Sequence, residues 1–82
     1  MSVTPSASLD LRGTPCPLNY VRSRLALERL SVGAWLQGDL DAGEPEEMVA
    51  ASLRGDGHEV SPPQPLPGME GSGVRLLIRR GG

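Results

Sequence analysis

A single cysteine stands between two prolines in the stretch Gly13-Thr14-Pro15-Cys16-Pro17-Leu18-Asn19, where an alternating pattern gives way to a helical one. Cysteine is the strongest potential nucleophile this chain carries, and it reacts as the thiolate. Leu9-Asp10-Leu11-Arg12 alternates apolar and polar as a half-buried strand does, and Gly13 breaks that strand. Pro17 suits the first helical position, where a missing N–H costs nothing because that donor has no intrahelical acceptor. Cys16 is then expected at the N-cap, where unpaired amides and the positive end of the helix dipole favour an anion. Residue pattern alone leaves two readings open: a reactive thiol, or a small buried hydrophobe, which is what most free cysteines are.

Other chemistry is sparse. His58, the only histidine, falls at the start of a short strand pattern, and nothing in the sequence sets it beside Cys16, so no dedicated general base is identified. One histidine, one cysteine and dispersed carboxylates lack the clustered spacing of a zinc or iron site, and neither a metal nor a cofactor is expected. Asp39, Asp41, Glu44, Glu46 and Glu47 gather around a helix start, where acidic residues complement the dipole.

The elements that must position Cys16 are those of one small domain. The chain has 82 residues, one tryptophan, one tyrosine and no phenylalanine, so its core is built mostly from aliphatic side chains. A net charge of −2, with arginine supplying every basic residue, argues against broad nucleic-acid binding. No apolar run approaches the ~20 residues that span a bilayer, and the first eight residues lack the pattern of a signal peptide. A lone cysteine agrees with a reducing compartment, and a cytoplasmic protein without membrane association is expected.

In chain order, residues 1–7 read as a disordered lead-in, and residues 8–82 as the single domain. Strand one covers Ser8 to Arg12, and a helix runs from Pro17 to Leu30. Cys16, Tyr20, Ser23, Leu27 and Leu30 follow one another at steps of four and three, a charge-free stripe expected to pack on the sheet. Leu18, Val21 and Leu25, set among Arg22 and Arg29, are then left facing outward. Strand two spans Ala34 to Leu40, the second helix Pro45 to Arg54, and a third strand His58 to Ser61. Residues 61–73, rich in proline and glycine, read as a mobile loop, and Val74 to Arg80 as the last strand. The fold class is α+β: a two-layer sandwich of order βαβαββ, with a four-stranded mixed sheet and both helices on one face.

The strand, Gly-x-x-Cys-Pro and helix at the start of so short a chain resemble the TusA/SirA-like sulfurtransferases. Leu9-Asp10-Leu11-Arg12-Gly13 and Cys16-Pro17 carry the opening of the resemblance. Val32-Gly33, Asp41, Pro45, Gly57-His58-Glu59-Val60 and the closing Leu77-Ile78-Arg79-Arg80-Gly81-Gly82 continue it. The family reads Cys-Pro-x-Pro, whereas this chain has Asn19 at the last position. The resemblance implies the same sandwich, and it implies a sulfurtransferase that accepts sulfane sulfur as a persulfide on Cys16 and relays it. The implied donor is a protein such as a cysteine desulfurase or a rhodanese-like enzyme, the acceptor another protein, and no cofactor takes part. Gly13, Pro15, Pro17 and Asn19 would shape the site, Asn19 either as a tolerated polar residue or through an amide turned back to the helix start. The outward Leu18, Val21 and Leu25 with Arg22 are either scattered surface residues or, as apolar anchors among arginines beside the sulfur, a partner-docking surface. Asp41 would also receive partners, because the family places that region near the cysteine. The alternative is a non-enzymatic interaction or regulatory module of the same fold, in which Cys16 carries no sulfur.

Overall fold

Strands β1 (Ala7–Asp10) and β2 (Trp35–Asp41) lie side by side and parallel, an arrangement that requires a crossover, and helix α1 (Leu18–Glu28) provides it. The computed structural model describes residues 4–81. Helix α2 (Glu44–Gly55) leads from β2 to β3 (Glu59–Val60), and β4 (Gln64–Pro65) and β5 (Gly73–Arg79) follow. The spatial order is β1-β2-β5-β3, with β4 also paired to β5, so β5 sits centrally and antiparallel to three neighbours.

The sheet therefore has five strands rather than the expected four, and proline is the reason. Pro62 and Pro63 offer no N–H to a ladder, and proline in sheets is confined to edges and interruptions. The chain on the outer edge of β5 is accordingly split, with Val60 opposite Ile78 and Gln64 opposite Arg75. Ser61 spans the gap: its N–H donates to Leu77 O at 2.9 Å and its Oγ accepts the Leu77 N–H at 3.0 Å. Beyond β4, Leu66 is buried and its N–H donates to Gly73 O at 3.1 Å. The stretch read as a loop thus adds a strand and a core residue.

Residues 1–3 of the expected lead-in, and Gly82 at the other end, lie outside the described residues. The Ser6 N–H already donates to Trp35 O at 2.8 Å, and β1 begins at Ala7, one residue earlier than expected.

Alternation sorts the sheet faces. Leu36, Leu40, Leu76 and Ile78 point into the core, where they meet Leu11, Leu27, Val49, Ala50 and Leu53. Burying a side chain the size of leucine contributes about 1.5–3 kcal/mol, so this aliphatic cluster is the main source of stability. Trp35, Gln37, Asp39, Arg75 and Leu77 alternate with these core residues and remain partly exposed. A salt bridge of 2.9 Å joins Arg75 and Asp39 across β5 and β2.

Helix α2 starts at Gly43, whose φ of +93° suits glycine, and carries Glu44, Glu46 and Glu47 in its first turn and Arg54 in its last. At the far end of α1, the Arg80 guanidinium donates to the carbonyls of Glu28, at 3.2 Å, and Leu30.

Candidate functional site

Cys16 is exposed, in a loop between the end of β1 and the start of α1. The loop is built from its first residue. Leu11 leaves β1 into the core, and its N–H donates to Asp39 O at 2.8 Å, extending the pairing with β2 by one bond. The chain then turns: Thr14 N–H donates to Leu11 O at 3.0 Å, and Gly13 takes a φ of +75°, which a side chain disfavours. The Gly13 N–H donates to Asp41 Oδ2 at 2.8 Å. On the outer side of this turn, Arg12 donates to both carboxylate oxygens of Asp10 at 2.8 Å and to Met69 Sδ at 2.8 Å. Its guanidinium holds the Asp10 carboxyl down to about 2, chiefly through that side-chain hydrogen bond.

The helix begins one residue later than the sequence suggests. Pro17, not Cys16, is the N-cap, because the first helical hydrogen bond runs from Val21 N–H to Pro17 O at 3.0 Å. Before it, Asn19 N–H donates to Pro15 O at 3.2 Å, and the Cys16–Pro17 peptide is cis. Cys16 is thus off the helical grid, and the row that faces the sheet passes through Asn19, Ser23 and Leu27 instead. Tyr20 and Leu30 from the expected stripe are half-buried beside this row. The site has the thiol outside and an amide inside.

Asn19 is fully buried, so it is not a surface residue that any polar group could replace. Its Oδ1 accepts the Tyr20 N–H at 2.7 Å, a donor of the first helical turn, and its carbonyl accepts Ser23 Oγ–H at 2.9 Å. The Asn19 Nδ2 has no hydrogen-bond partner among the described residues. Leu18, Val21 and Leu25 face outward as expected, 54%, 38% and 50% exposed, with Arg22 and Arg29 exposed around them. Leu25, Arg22, Arg29, Ala26 and Leu9 line a shallow groove on this side. Pro15 and Pro17 bracket the exposed cysteine and are themselves exposed.

The resemblance places the Asp41 region near the cysteine, and the structure shows the contact: Asp41 accepts the Gly13 N–H, because parallel pairing of β1 with β2 sets Asp10 opposite Asp39 and the chain just past β1 runs alongside Asp41. Met69 reaches the same loop from between β4 and β5, a contact that sequence spacing does not announce. His58, by contrast, is held elsewhere. Its Nδ1 accepts the Gly81 N–H at 3.0 Å, and it lines a cleft of about 260 Å³ with Tyr20, Arg24, Glu28, Asp56, Arg80 and Gly81. Cys16 is not part of that lining. Among the described residues no three His, Cys, Asp or Glu side chains converge as a metal cage, and no helix is long and apolar enough to cross a membrane.

The class is an α+β sandwich that exposes its one thiol at a strand-to-helix junction. The comparisons narrow the class. The family described as sulfurtransferase TusA matches residues 7–80, and the chain belongs to that family. A protein of Archaeoglobus fulgidus, named as a candidate sulfur carrier, is 35% identical over 52 residues, which make up 63% of this chain. The match spans 59% of that relative's own length. A SirA-like protein of Desulfitobacterium hafniense superposes with a TM-score of 0.75 over 93% of this chain and 99% of its own, and at 18% identity it attests to the fold.

Proposed function

We propose that this chain is a sulfur carrier that accepts sulfane sulfur on Cys16 from a donor protein's persulfide and passes it to an acceptor protein. The observation that carries the reading is the exposed Cys16 on a hydrogen-bonded loop, in a chain of the sulfurtransferase TusA family. The Cys16 thiolate attacks the terminal sulfur of the donor's R–S–SH, the donor's S–S bond breaks, and the products are Cys16–S–SH and the donor thiolate R–S⁻. The electron pair leaves with the donor sulfur and the proton stays on the transferred one. No oxidant or cofactor enters, and because one thiolate replaces another, no general base is needed at the moment of transfer. Relay to the acceptor repeats the exchange with the roles shifted.

A carrier must meet two proteins with the same sulfur, which favours an exposed thiol and a shallow docking surface over a closed active site. Leu18, Val21 and Leu25 among Arg22 and Arg29 supply apolar anchors with a polar surround, the pattern of protein interfaces.

Intact-protein mass spectrometry after incubation with a cysteine desulfurase and L-cysteine tests the reading. The wild type should gain one sulfur atom, removable by a reductant, and Cys16→Ser should gain none while keeping its fold. If the wild type gains nothing from a series of persulfide donors while Cys16 still reacts with iodoacetamide, the chain is an interaction module and not a carrier.

A further inference from the structure

The Asp41 carboxylate lies at the end of β2, and its hydrogen bond is spent inside the molecule, on the Gly13 N–H of the cysteine loop at 2.8 Å. We infer that Asp41 is a positioning residue, which acts through Gly13 to hold the Cys16 backbone in place for transfer. The inference rests on the carrier reading for its purpose, though not for its geometry.

Besides the Arg12 bonds to Asp10 and Met69, which hold the residue before Gly13, the loop from Leu11 to Cys16 has backbone restraints at its two ends. Leu11 N–H binds Asp39 O and Thr14 N–H binds Leu11 O, which ties the first half of the turn to β2 and to itself. On the far side, Asn19 N–H binds Pro15 O and α1 begins. Gly13 lies inside the turn that Leu11 and Thr14 close, at a positive φ that a glycine adopts without steric cost. Among the described residues Asp41 is the one acceptor of the Gly13 N–H, and this bond is charge-assisted, the stronger kind. Only Thr14 and Pro15 separate this anchor from Cys16. Pro15 has a locked φ, and Pro17 restricts the residue before it, so a displacement of Gly13 is passed along the chain rather than absorbed. The carboxylate also stands two residues before Gly43, which caps α2, so the cysteine loop and the start of α2 are joined through one side chain.

Such a role needs an acceptor oxygen at position 41, and an amide oxygen meets that need. Asp41→Asn and Asp41→Ala therefore separate positioning from a charge that meets a partner. In both variants and the wild type, the rate of sulfur uptake from a cysteine desulfurase with L-cysteine is measured by mass spectrometry, and the backbone order parameter of the Cys16 amide by NMR. Asp41→Ala should load sulfur about tenfold more slowly, the loss that a charge-assisted hydrogen bond implies. Its Cys16 order parameter should fall from about 0.85 towards about 0.6, with the rest of the sheet unchanged. Asp41→Asn should keep the order parameter and load within about twofold of the wild type. An alanine variant with an unchanged Cys16 order parameter overturns the inference. So does an asparagine variant that keeps the order parameter yet loads as slowly as alanine, since the charge itself is then what a partner reads. If the wild type takes up no sulfur, the carrier reading fails by itself, and the order parameters alone uphold or overturn the positioning role.

Discussion

The Tyr20 phenol donates a hydrogen bond to the Asp56 carboxylate, joining the first turn of α1 to the residue that caps the C-terminal end of α2. The two helices that cover the sheet are thereby tied at one end by a side-chain bond in addition to the contacts of Leu27, Val49 and Leu53 in the core. The same bond raises the Tyr20 pKa, mainly because the carboxylate accepts the phenolic proton and secondly because the ring is partly desolvated. Tyr20 is the only tyrosine, so its ionisation is read directly by ultraviolet absorbance. The wild type should titrate above the ordinary value of about 10, and Asp56→Asn should bring the midpoint down. The folded form favours the neutral phenol, so the stabilisation is present at neutral pH and disappears as pH rises through the Tyr20 titration.

Asn19 gives a prediction whose sign depends on burial. On an exposed first turn of a helix, Asn19→Asp would be neutral or mildly favourable, since an acid complements the dipole there. In this structure the side chain is fully buried, so the new carboxylate loses its solvation and keeps one N–H, that of Tyr20, as a partner. Asn19→Asp should therefore cost about 2 kcal/mol or more at pH 7. The buried carboxyl titrates above its unfolded value, so the loss should shrink as pH falls and the group becomes neutral. Urea unfolding at pH 7 and pH 4 checks both statements.

The Asp10–Arg12 pair acts at the opposite end of the pH scale. The carboxyl is lowered from 3.8 to about 2 by Arg12, so its stabilisation is complete above pH 4 and is lost as pH falls towards 2. The stability difference between the wild type and Asp10→Asn should accordingly narrow across that window, followed by thermal unfolding at each pH. Both side chains are substantially exposed, at 58% for Asp10 and 40% for Arg12, so added salt should reduce the difference as well.

Val21→Glu addresses the outward face of α1. Val21 is 38% exposed and lies beside Leu18 and Leu25 rather than in the core, so the fold should tolerate the change. If this face receives the donor, transfer from a protein persulfide should slow by about tenfold, while alkylation of Cys16 by iodoacetamide stays the same. An equal fall in both rates would mean that the substitution had disturbed the cysteine loop.

Periodicity made most of the fold legible from the residues. Leu36 and Leu40 share a side opposite Gln37 and Asp39, and Val74, Leu76 and Ile78 share a side opposite Arg75 and Arg79, with Leu77 the apolar exception on the outer side. This period of two identifies the inner face of β2 and β5. Gly43 with Pro45, and later Gly57, mark the two ends of α2 for local steric reasons. Leu18, Val21 and Leu25 could be read as outward because they share a side of α1 with arginines. The place of Cys16 at a strand-to-helix junction was legible too, from the prolines around it and the change of period, and the structure adds that the thiol is exposed.

Tertiary structure decided what those local signals leave open. Helical spacing assigned Cys16 to the buried stripe, but the first helical hydrogen bond starts at Pro17, and this leaves the thiol outside and turns Asn19 in. The split of the outer edge into β3 and β4 depends on which strand offers them partners, and that strand is β5, read last in the chain. Asp41 and Met69 meet the cysteine loop from 28 and 57 residues along the sequence from their partners Gly13 and Arg12. Amino-acid type and spacing determine which segments become strand or helix and which side chain carries the chain's one thiol. The Gly13–Asp41 and Arg12–Met69 hydrogen bonds of the cysteine loop join residues distant in sequence, and only the packing of the strands brings them within reach.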